Sequence, residues 1–238
     1  MVHARTDAER RRHSRTSWLK FSAIQSDRHG VLLARLAMAV NDIYLANWSM
    51  LDYQKDKQLD SKEEHLKIGA LQYFVRLQCG HLNEALKLIK EFQRETDLVD
   101  RISRCSADAH DAYAQICDCL PGGKDYQRFI DTIGKLRNKV TFHYDSDQVQ
   151  RALEYLANEP KPQPATITIG EDYYLTRFNF ADRVADTILT RQILGIPPAA
   201  DKVAELALFE AFLNEKSLSF LRFTKEFVTL YLEEKAPA

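Results

Sequence analysis

Residues 66–92 read LKIGALQYFVRLQCGHLNEALKLIKEF, and this stretch decides the fold class. Apolar side chains recur in it every three or four residues without a proline, which is the period of an amphipathic helix. Asp60 or Ser61 can cap this helix, because two glutamates follow in the first turn, where negative charge is favourable. A helix of this length, ending near Phe92, predicts that the core is built by helices packing on helices.

Helical spacing continues along most of the remaining sequence. The chain of 238 residues has only 8 glycines and 7 prolines, whereas a many-stranded β fold needs a turn about every ten residues. Further helices are predicted at about residues 26–48, 97–120, 124–144, 146–156, 179–194 and 201–233. Two short segments, 166–170 and 173–178, predict one small β-hairpin.

The predicted organisation has three parts, and the predicted fold class is all-α. Residues 1–25 form a basic tail, which is either a solvated, frayed end or an arm that touches RNA or a partner. Residues 26–158 form an antiparallel four-helix bundle. Residues 159–238 comprise a proline-rich break, the small hairpin and two helices that pack on the bundle.

Composition excludes several classes of function. With 33 Lys and Arg against 34 Asp and Glu, the net charge is −1. A protein that holds nucleic acid by bulk charge is far more basic, so any contact with a polyanion must be local. The sequence contains no P-loop, dinucleotide-binding, serine-hydrolase or zinc-protease motif.

The cysteines and the termini indicate the compartment. The 4 cysteines have no CxxC spacing, which predicts free thiols in a reducing cytoplasm, with neither a metal nor a cofactor. The first residues lack the apolar core of a signal peptide, and no stretch is long and apolar enough to span a membrane. We therefore expect a cytoplasmic protein without membrane contact.

The stretch DTIGKLRNKVTFHYD, residues 131–145, carries the residues with chemical potential. On a wheel of 100° per residue, one narrow apolar face contains Tyr126, Ile130, Ile133, Val140 and Tyr144. Arg137 lies in the middle of this face, and His143 lies at its edge about 9 Å further along the axis. A buried arginine is costly unless a charge compensates it, so an acid from another helix or a bound anion must lie nearby.

Glu84 is the acid that we expect to compensate Arg137. It lies three residues after His81, so the two side chains can meet on one helix face. A di-iron bundle needs two Glu-x-x-His helices and two further glutamates, whereas the order here is reversed and occurs once. His81 and Glu84 are therefore predicted to form a structural polar pair, or Glu84 to compensate the charge of Arg137, in preference to binding a metal.

The last predicted helix carries an aromatic stripe. Its members, at helical spacing, are Phe220, Phe223, Phe227 and Tyr231. Core or dimer packing is the main interpretation of such a stripe, and stacking on RNA bases is the alternative.

Arg137-Asn138, four intervening residues and His143 resemble the R-polar-x4–6-H motif of the HEPN superfamily. Proteins of this superfamily are helical bundles, and many are metal-independent endoribonucleases of toxin–antitoxin, abortive-infection and CRISPR systems. Asparagine directly after the arginine is the superfamily's usual polar residue. The resemblance covers residues 26–157 by architecture, but only a few residues by motif.

The resemblance implies a catalytic site of Arg137, Asn138 and His143. His143 would move protons near neutral pH, while Arg137 would stabilise the phosphorane formed when the RNA 2′-hydroxyl attacks its neighbouring phosphate. Asn138 would orient the substrate or hydrogen-bond the arginine. Superfamily members often pair so that two motifs line one cleft. The resemblance therefore implies an RNA substrate and a homodimer, and it allows an antitoxin or regulatory protein as a further partner.

The sequence departs from the superfamily in one respect. Toxins that a nucleotidyltransferase antitoxin silences carry a tyrosine two residues after the histidine, whereas here Tyr144 follows directly and position 145 is aspartate. This argues against silencing of that type, and Asp145 is predicted to cap the next helix.

Two other interpretations stay open. In the first, the protein is a non-catalytic helical module that binds protein or RNA, and Arg137 and His143 only bridge acids in the core. In the second, it is a carboxylate-bridged metal enzyme built on a helical bundle.

Overall fold

The computed structural model describes residues 20–55, 61–141, 145–160, 164, 166, 167, 169 and 178–235. Every regular element within these residues is a helix, which confirms the all-α fold class. We number the helices α1 Phe21–Gln25, α2 Gly30–Lys55, α3 Ser61–Phe92, α4 Thr96–Arg101, α5 Ala107–Cys117, α6 starting at Tyr126–Phe129, α7 Ser146–Ala157, α8 starting at Asn179–Thr187 and α9 Lys202–Lys235. None of these described helices combines the length and the apolar character that a membrane crossing requires.

Two of the helices continue as π-helix, in which the backbone bonds reach five residues rather than four. Helix α6 runs on through the π segments Ile130–Gly134 and Arg137–Thr141, and helix α8 runs on through Ile188–Ile193. The predicted helix at 124–144 is therefore present from Tyr126 to Thr141, where its described part ends, and the predicted helix at 179–194 is present. Neither is a regular α-helix throughout its described residues.

The centre of the core is a cluster of aromatic rings around Phe92, at the end of α3. The ring of Phe92 lies 4.9 Å from that of Phe227 and 5.6 Å from that of Phe223, both on α9. Tyr113 of α5 contacts Phe92 from a third side, at 6.0 Å between ring centroids. Three helices far apart in sequence therefore meet at one fully buried side chain.

Helix α9 packs along α5 and also contacts α2 and α3. Its aromatic stripe is buried in the same chain, which confirms core packing as the role of these rings. Residues on both sides of the break at 159–165 thus contribute to one core cluster. The division of the chain at residue 159 stays a prediction.

The predicted helix at 97–120 is interrupted, so its continuity is wrong. Helix α4 passes into a 3₁₀ turn at Ile102–Arg104, and α5 starts only at Ala107. Cys105 and Ser106 between them are extended, and the hydroxyl of Ser106 accepts a hydrogen bond from the backbone N–H of Ala109. Serine favours such a cap over a helix interior, because its hydroxyl satisfies an N–H that has no partner within the helix.

The predicted apolar face of the fourth helix is partly wrong. Among the described side chains of α6, the buried ones are Phe129, Ile133 and Leu136, while Ile130 is exposed. The three buried residues still follow helical spacing, so the buried face lies to one side of the predicted face and shares only Ile133 with it. Tyr144, the last member of the predicted face, lies outside the described residues.

The two remaining predictions concern the tail and the hairpin. Residues 21–25, assigned to the tail, form helix α1, and α2 then starts at Gly30 rather than at Ser26. Gly30 is required there, because a Cβ would overlap the carbonyl oxygen of Ile24. The hairpin lies almost wholly outside the described residues, and the three described residues of its first segment are not in a strand.

Replacement of Phe92 by alanine is expected to lower the free energy of unfolding by about 3–5 kcal/mol, because it leaves a cavity among the aromatic rings. Phe21→Ala is the matched control, since that ring is 88% exposed, and its effect should stay below about 0.5 kcal/mol. Urea unfolding followed by circular dichroism measures both. Equal losses in the two variants would contradict the assignment of Phe92 to the core centre.

Candidate functional site

Arg137 opens the second π segment of α6 and binds an acid on α3. Its Nη2 lies 2.8 Å from Oε1 of Glu84, which confirms Glu84 as the acid that compensates this arginine. Its Nη1 donates a hydrogen bond of 3.0 Å to Oδ1 of Asn138. Two of the three guanidinium nitrogens are therefore held in place, one by a neighbouring helix and one by the next residue.

The guanidinium is neither sealed in the interior nor fully exposed. The side chain of Arg137 is 26% exposed and that of Glu84 is 48% exposed, so water reaches both. The third nitrogen, Nε of Arg137, is buried and has no hydrogen-bond partner among the described residues. A buried donor without an acceptor costs about 1–3 kcal/mol, so the site favours an acceptor oxygen placed beside it.

Glu84 serves two cations. Its carboxylate binds Arg137, and it also accepts hydrogen bonds of 2.8 and 3.0 Å from Nζ of Lys87, one turn along α3. Partial burial raises the pKa of Glu84, but the charge and hydrogen bonds of Lys87 and Arg137 outweigh it, so the pKa lies below its usual value. The carboxylate is therefore ionised at neutral pH.

Beyond Arg137, the described part of α6 ends at Thr141. His143 lies in the segment 142–144, outside the described residues, so the distance between its imidazole and the guanidinium stays a prediction. Asp145, on the far side of this segment, caps α7, since its Oδ1 accepts a hydrogen bond from the backbone N–H of Gln148. This confirms the predicted cap. Oδ2 of Asp145 lies 2.7 Å from Nζ of Lys139.

The charges around Arg137 leave a small positive excess. Arg137 and Lys87 share the single carboxylate of Glu84, so this group of three side chains has a net charge of +1. A local positive group on a chain of nearly zero net charge is the arrangement that a polyanion would need.

One imidazole lies a helical turn from Glu84. His81 precedes Glu84 by one helical turn, and its Nδ1 lies 3.8 Å from Oδ2 of Asp42 on α2. The side chain is 26% exposed. His81 thus belongs to a row of polar groups that crosses from α2 over α3 to Arg137 on α6.

The sequence analysis missed a cluster around His29. This buried imidazole lies between α1 and α2, and its Nε2 is 2.7 Å from Oδ2 of Asp97 while its Nδ1 is 3.7 Å from Oε2 of Glu95. The pKa of Asp97 lies below its usual value, first because of the hydrogen bond with His29. The residues are more than 60 positions apart, so no local spacing signals the contact.

The ligand atoms of His29, Glu95 and Asp97 lie within 4.8 Å of one another, so these residues could hold a metal ion. The guanidinium of Arg28 already takes the position of a cation there. Its Nη2 lies 3.2 Å from Glu95 and 3.5 Å from Asp97. The cluster is therefore complete as an ion-pair network that ties α2 to the start of α4.

None of the 4 cysteines forms a disulfide, which confirms the predicted free thiols. Burial raises the pKa of the Cys119 thiol to about 12 and also raises that of Cys79. The pKa values of Cys105 and Cys117 are raised for the same reason. Thiols that stay protonated at neutral pH are poor nucleophiles, so a cysteine-based reaction is disfavoured.

Comparison of the chain with family models, with curated proteins and with solved structures gives no match. The resemblance to the HEPN superfamily therefore rests on the residues of the motif alone.

The ion pair between Arg137 and Glu84 is expected to couple α6 to α3. A double-mutant cycle with Glu84→Gln and Arg137→Gln should give a coupling energy of about 0.5–1 kcal/mol, kept small by the exposure of both side chains. The matched control is a cycle of the same glutamate with Lys87→Gln, which should give about 0.3–0.5 kcal/mol, since that pair lies within one helix. Urea unfolding measures both. A coupling of zero for Arg137 would show that the pair does not hold α6 on α3.

Asp145 is expected to titrate below the usual range of an aspartate. The hydrogen bond from Lys139 is the first cause, and the N–H of Gln148 is the second, so the pKa is lowered. A carboxyl with a lowered pKa stabilises the fold above its ordinary pKa, and this contribution is lost as the pH falls through the folded value. NMR titration of the carboxyl carbon should show the low midpoint, and Lys139→Ala should raise it. An unchanged midpoint in that variant would contradict the contact.

Proposed function

We propose that the protein is a HEPN-like, metal-independent endoribonuclease whose site consists of Arg137, Asn138 and His143. The proposal includes an HEPN-like helical bundle and a homodimer in which two sites line one cleft. A defence or stress effector of this kind cleaves RNA inside the cell. A partner that controls it, an antitoxin or a regulatory protein, is part of the same proposal.

The chemistry needs only groups that the RNA and these three residues supply. The 2′-hydroxyl of RNA attacks the neighbouring phosphate, and the bond to the 5′-oxygen of the next nucleotide breaks. His143 takes the proton from the attacking hydroxyl and protonates the leaving oxygen, which suits an imidazole near neutral pH. Arg137 keeps its charge and stabilises the phosphorane oxygens. The products carry a 2′,3′-cyclic phosphate, or a 3′-phosphate after hydrolysis, and a 5′-hydroxyl.

The observation that carries the proposal is the way Arg137 is held. Glu84 and Asn138 fix two nitrogens of the guanidinium, and the side chain nevertheless stays partly open to water. A fixed, accessible cation stabilises developing charge without reorganising during the reaction. The arginine also starts a π segment, and such irregular turns are frequent at functional sites.

The second candidate is a non-catalytic helical module that binds protein or RNA. The same ion pair favours it, because Glu84 neutralises Arg137 within the chain and so explains the arginine without a substrate. The two candidates differ in what the wild-type protein does to RNA that it binds, since only the first predicts cleavage.

Cleavage of RNA by the purified protein is expected to proceed in EDTA and to leave a cyclic phosphate or 3′-phosphate end. His143→Ala should lower the rate by about 10²–10⁴-fold, roughly 3–5 kcal/mol of barrier, because the variant lacks the group that moves the proton. A labelled oligoribonucleotide on a denaturing gel measures the rate, and the chemistry of the new ends identifies the reaction.

The matched control is His110→Ala, since His110 is an exposed imidazole on α5, and this variant should cleave at the wild-type rate. Full activity in His143→Ala would mean that the cleavage comes from another site or from a contaminant. Binding of RNA by the wild type without cleavage would favour the second candidate.

A further inference from the structure

Helix α2 presents a stripe of exposed side chains, all but one of them apolar, which we call the α2 stripe. Its members are Val31, Ala34, Met38, Asn41, Leu45 and Trp48, all exposed in the chain. Single exposed apolar residues are ordinary, but a row of this length on one helix marks an interaction surface.

The spacing within the stripe shows what kind of surface it is. Val31, Met38 and Leu45 are seven residues apart, and the other three members follow each of them by three residues. This is the a/d pattern of a coiled coil, in which a helix packs side by side with another helix. Asn41 is the one amide in the row, and a polar residue at such a position fixes the register of the pair.

We propose that the α2 stripe is the surface through which two copies of this chain pair, with their α2 helices antiparallel. The inference rests on the proposed function for the expectation of a homodimer, but not for a cleft shared by the two sites, and it adds the surface and the register. The twofold axis crosses α2 close to Ala39 and Val40.

The antiparallel register matches large side chains with small ones. Leu45 of one copy faces Ala34 of the other, Val31 faces Trp48, and Met38 faces Asn41. Each of these three pairs occurs twice, once in each direction, as a twofold interface requires. From Val31 to Trp48 the contact runs along about 26 Å of helix.

Charges beside the stripe fit the same register. Arg35 and Asp42 flank it on one side, and Arg35 also binds Glu91 of its own chain through both Nη atoms. The antiparallel pairing brings Arg35 of one copy next to Asp42 of the other, on both sides of the axis. Opposite charges at such flanking positions set partner choice and orientation. A parallel pairing instead places these side chains beside Ala37 and Tyr44 of the other copy, which offer no opposite charge.

A row of polar side chains on α2 and α3 links the interface to the candidate site on α6. Asp42 lies 3.8 Å from His81, and His81 precedes Glu84, the partner of Arg137, by one helical turn. The polar row from α2 to Arg137 therefore begins at the edge of the α2 stripe in each copy.

The first measurement is the mass of the full-length chain by analytical ultracentrifugation, over about 1–100 μM. The wild type should dimerise, and Leu45→Glu should raise the dissociation constant at least about tenfold, because it puts a charge into the apolar seam. Leu208→Glu on α9 is the matched control, since Leu208 is 61% exposed and Leu45 is 58% exposed. Circular dichroism confirms that each variant is folded.

The second measurement tests the register by cross-linking single cysteines with a short bismaleimide. Met38→Cys should cross-link to its own copy, since the two positions lie about 5 Å apart along the axis, whereas Val31→Cys, about 26 Å apart, should not. The wild type is the control for the native thiols, whose raised pKa makes them slow to react.

The outcomes separate this inference from the proposed function. A monomeric wild type, an unchanged dissociation constant in Leu45→Glu, or efficient cross-linking of Val31→Cys would overturn the inference, whether or not the protein cleaves RNA. A dimer that passes both tests supports it, even if RNA stays intact.

Discussion

The contact between Arg137 and Glu84 is the constraint on which the account of this protein depends. A guanidinium on the inner side of a helix requires a counter-charge, and α3 supplies one from the turn that also carries Lys87. The ion pair joins the irregular helix α6 to α3, on which it packs. It also leaves the positive charge close to the surface rather than within the aromatic cluster at Phe92.

The same contact explains why structure and chemistry are linked here. Glu84 lowers the cost of placing Arg137 on α6, and its own pKa is lowered by Lys87 and Arg137, so the pair stays charged at neutral pH. A phosphate that approached Arg137 would share the guanidinium with this carboxylate. The extra positive charge of Lys87 offsets that competition, which is why a local contact with a polyanion is compatible with a chain of net charge −1.

Much of the fold follows from the sequence, because periodicity and caps are local. The end of α3 at Phe92, the cap at Asp145 and the choice of Glu84 as partner were predictable from spacing and charge. The break at Ser106 was not predictable, because the apolar helical pattern continues on both sides of it. The hydroxyl of Ser106 caps a new helix there instead of continuing the old one. The π turns were not predictable either, because a wheel assumes a constant number of residues per turn.

Contacts over long sequence distances set the other limit. His29 contacts Asp97 only because α1, α2 and α4 pack together, and the sequence around His29 does not indicate which acid it binds. The α2 stripe, by contrast, is visible as a heptad pattern in the sequence, but only the structure shows that this face of α2 is exposed. Sequence patterns predict which helix faces are apolar, and the packing of the helices decides which of these faces are buried within the chain.

The central claim is that Arg137, although paired with Glu84, remains available to a phosphodiester. The most direct test is NMR of the arginine Nε–Hε signals during titration with a short RNA whose 2′-hydroxyls are methylated, so that the 2′-oxygen cannot attack the phosphate. The account predicts a saturable shift of the Arg137 signal, assigned by its absence in Arg137→Lys. An Arg137 signal that stays in place while other arginines respond would contradict it, and would leave the ion pair as a purely structural contact.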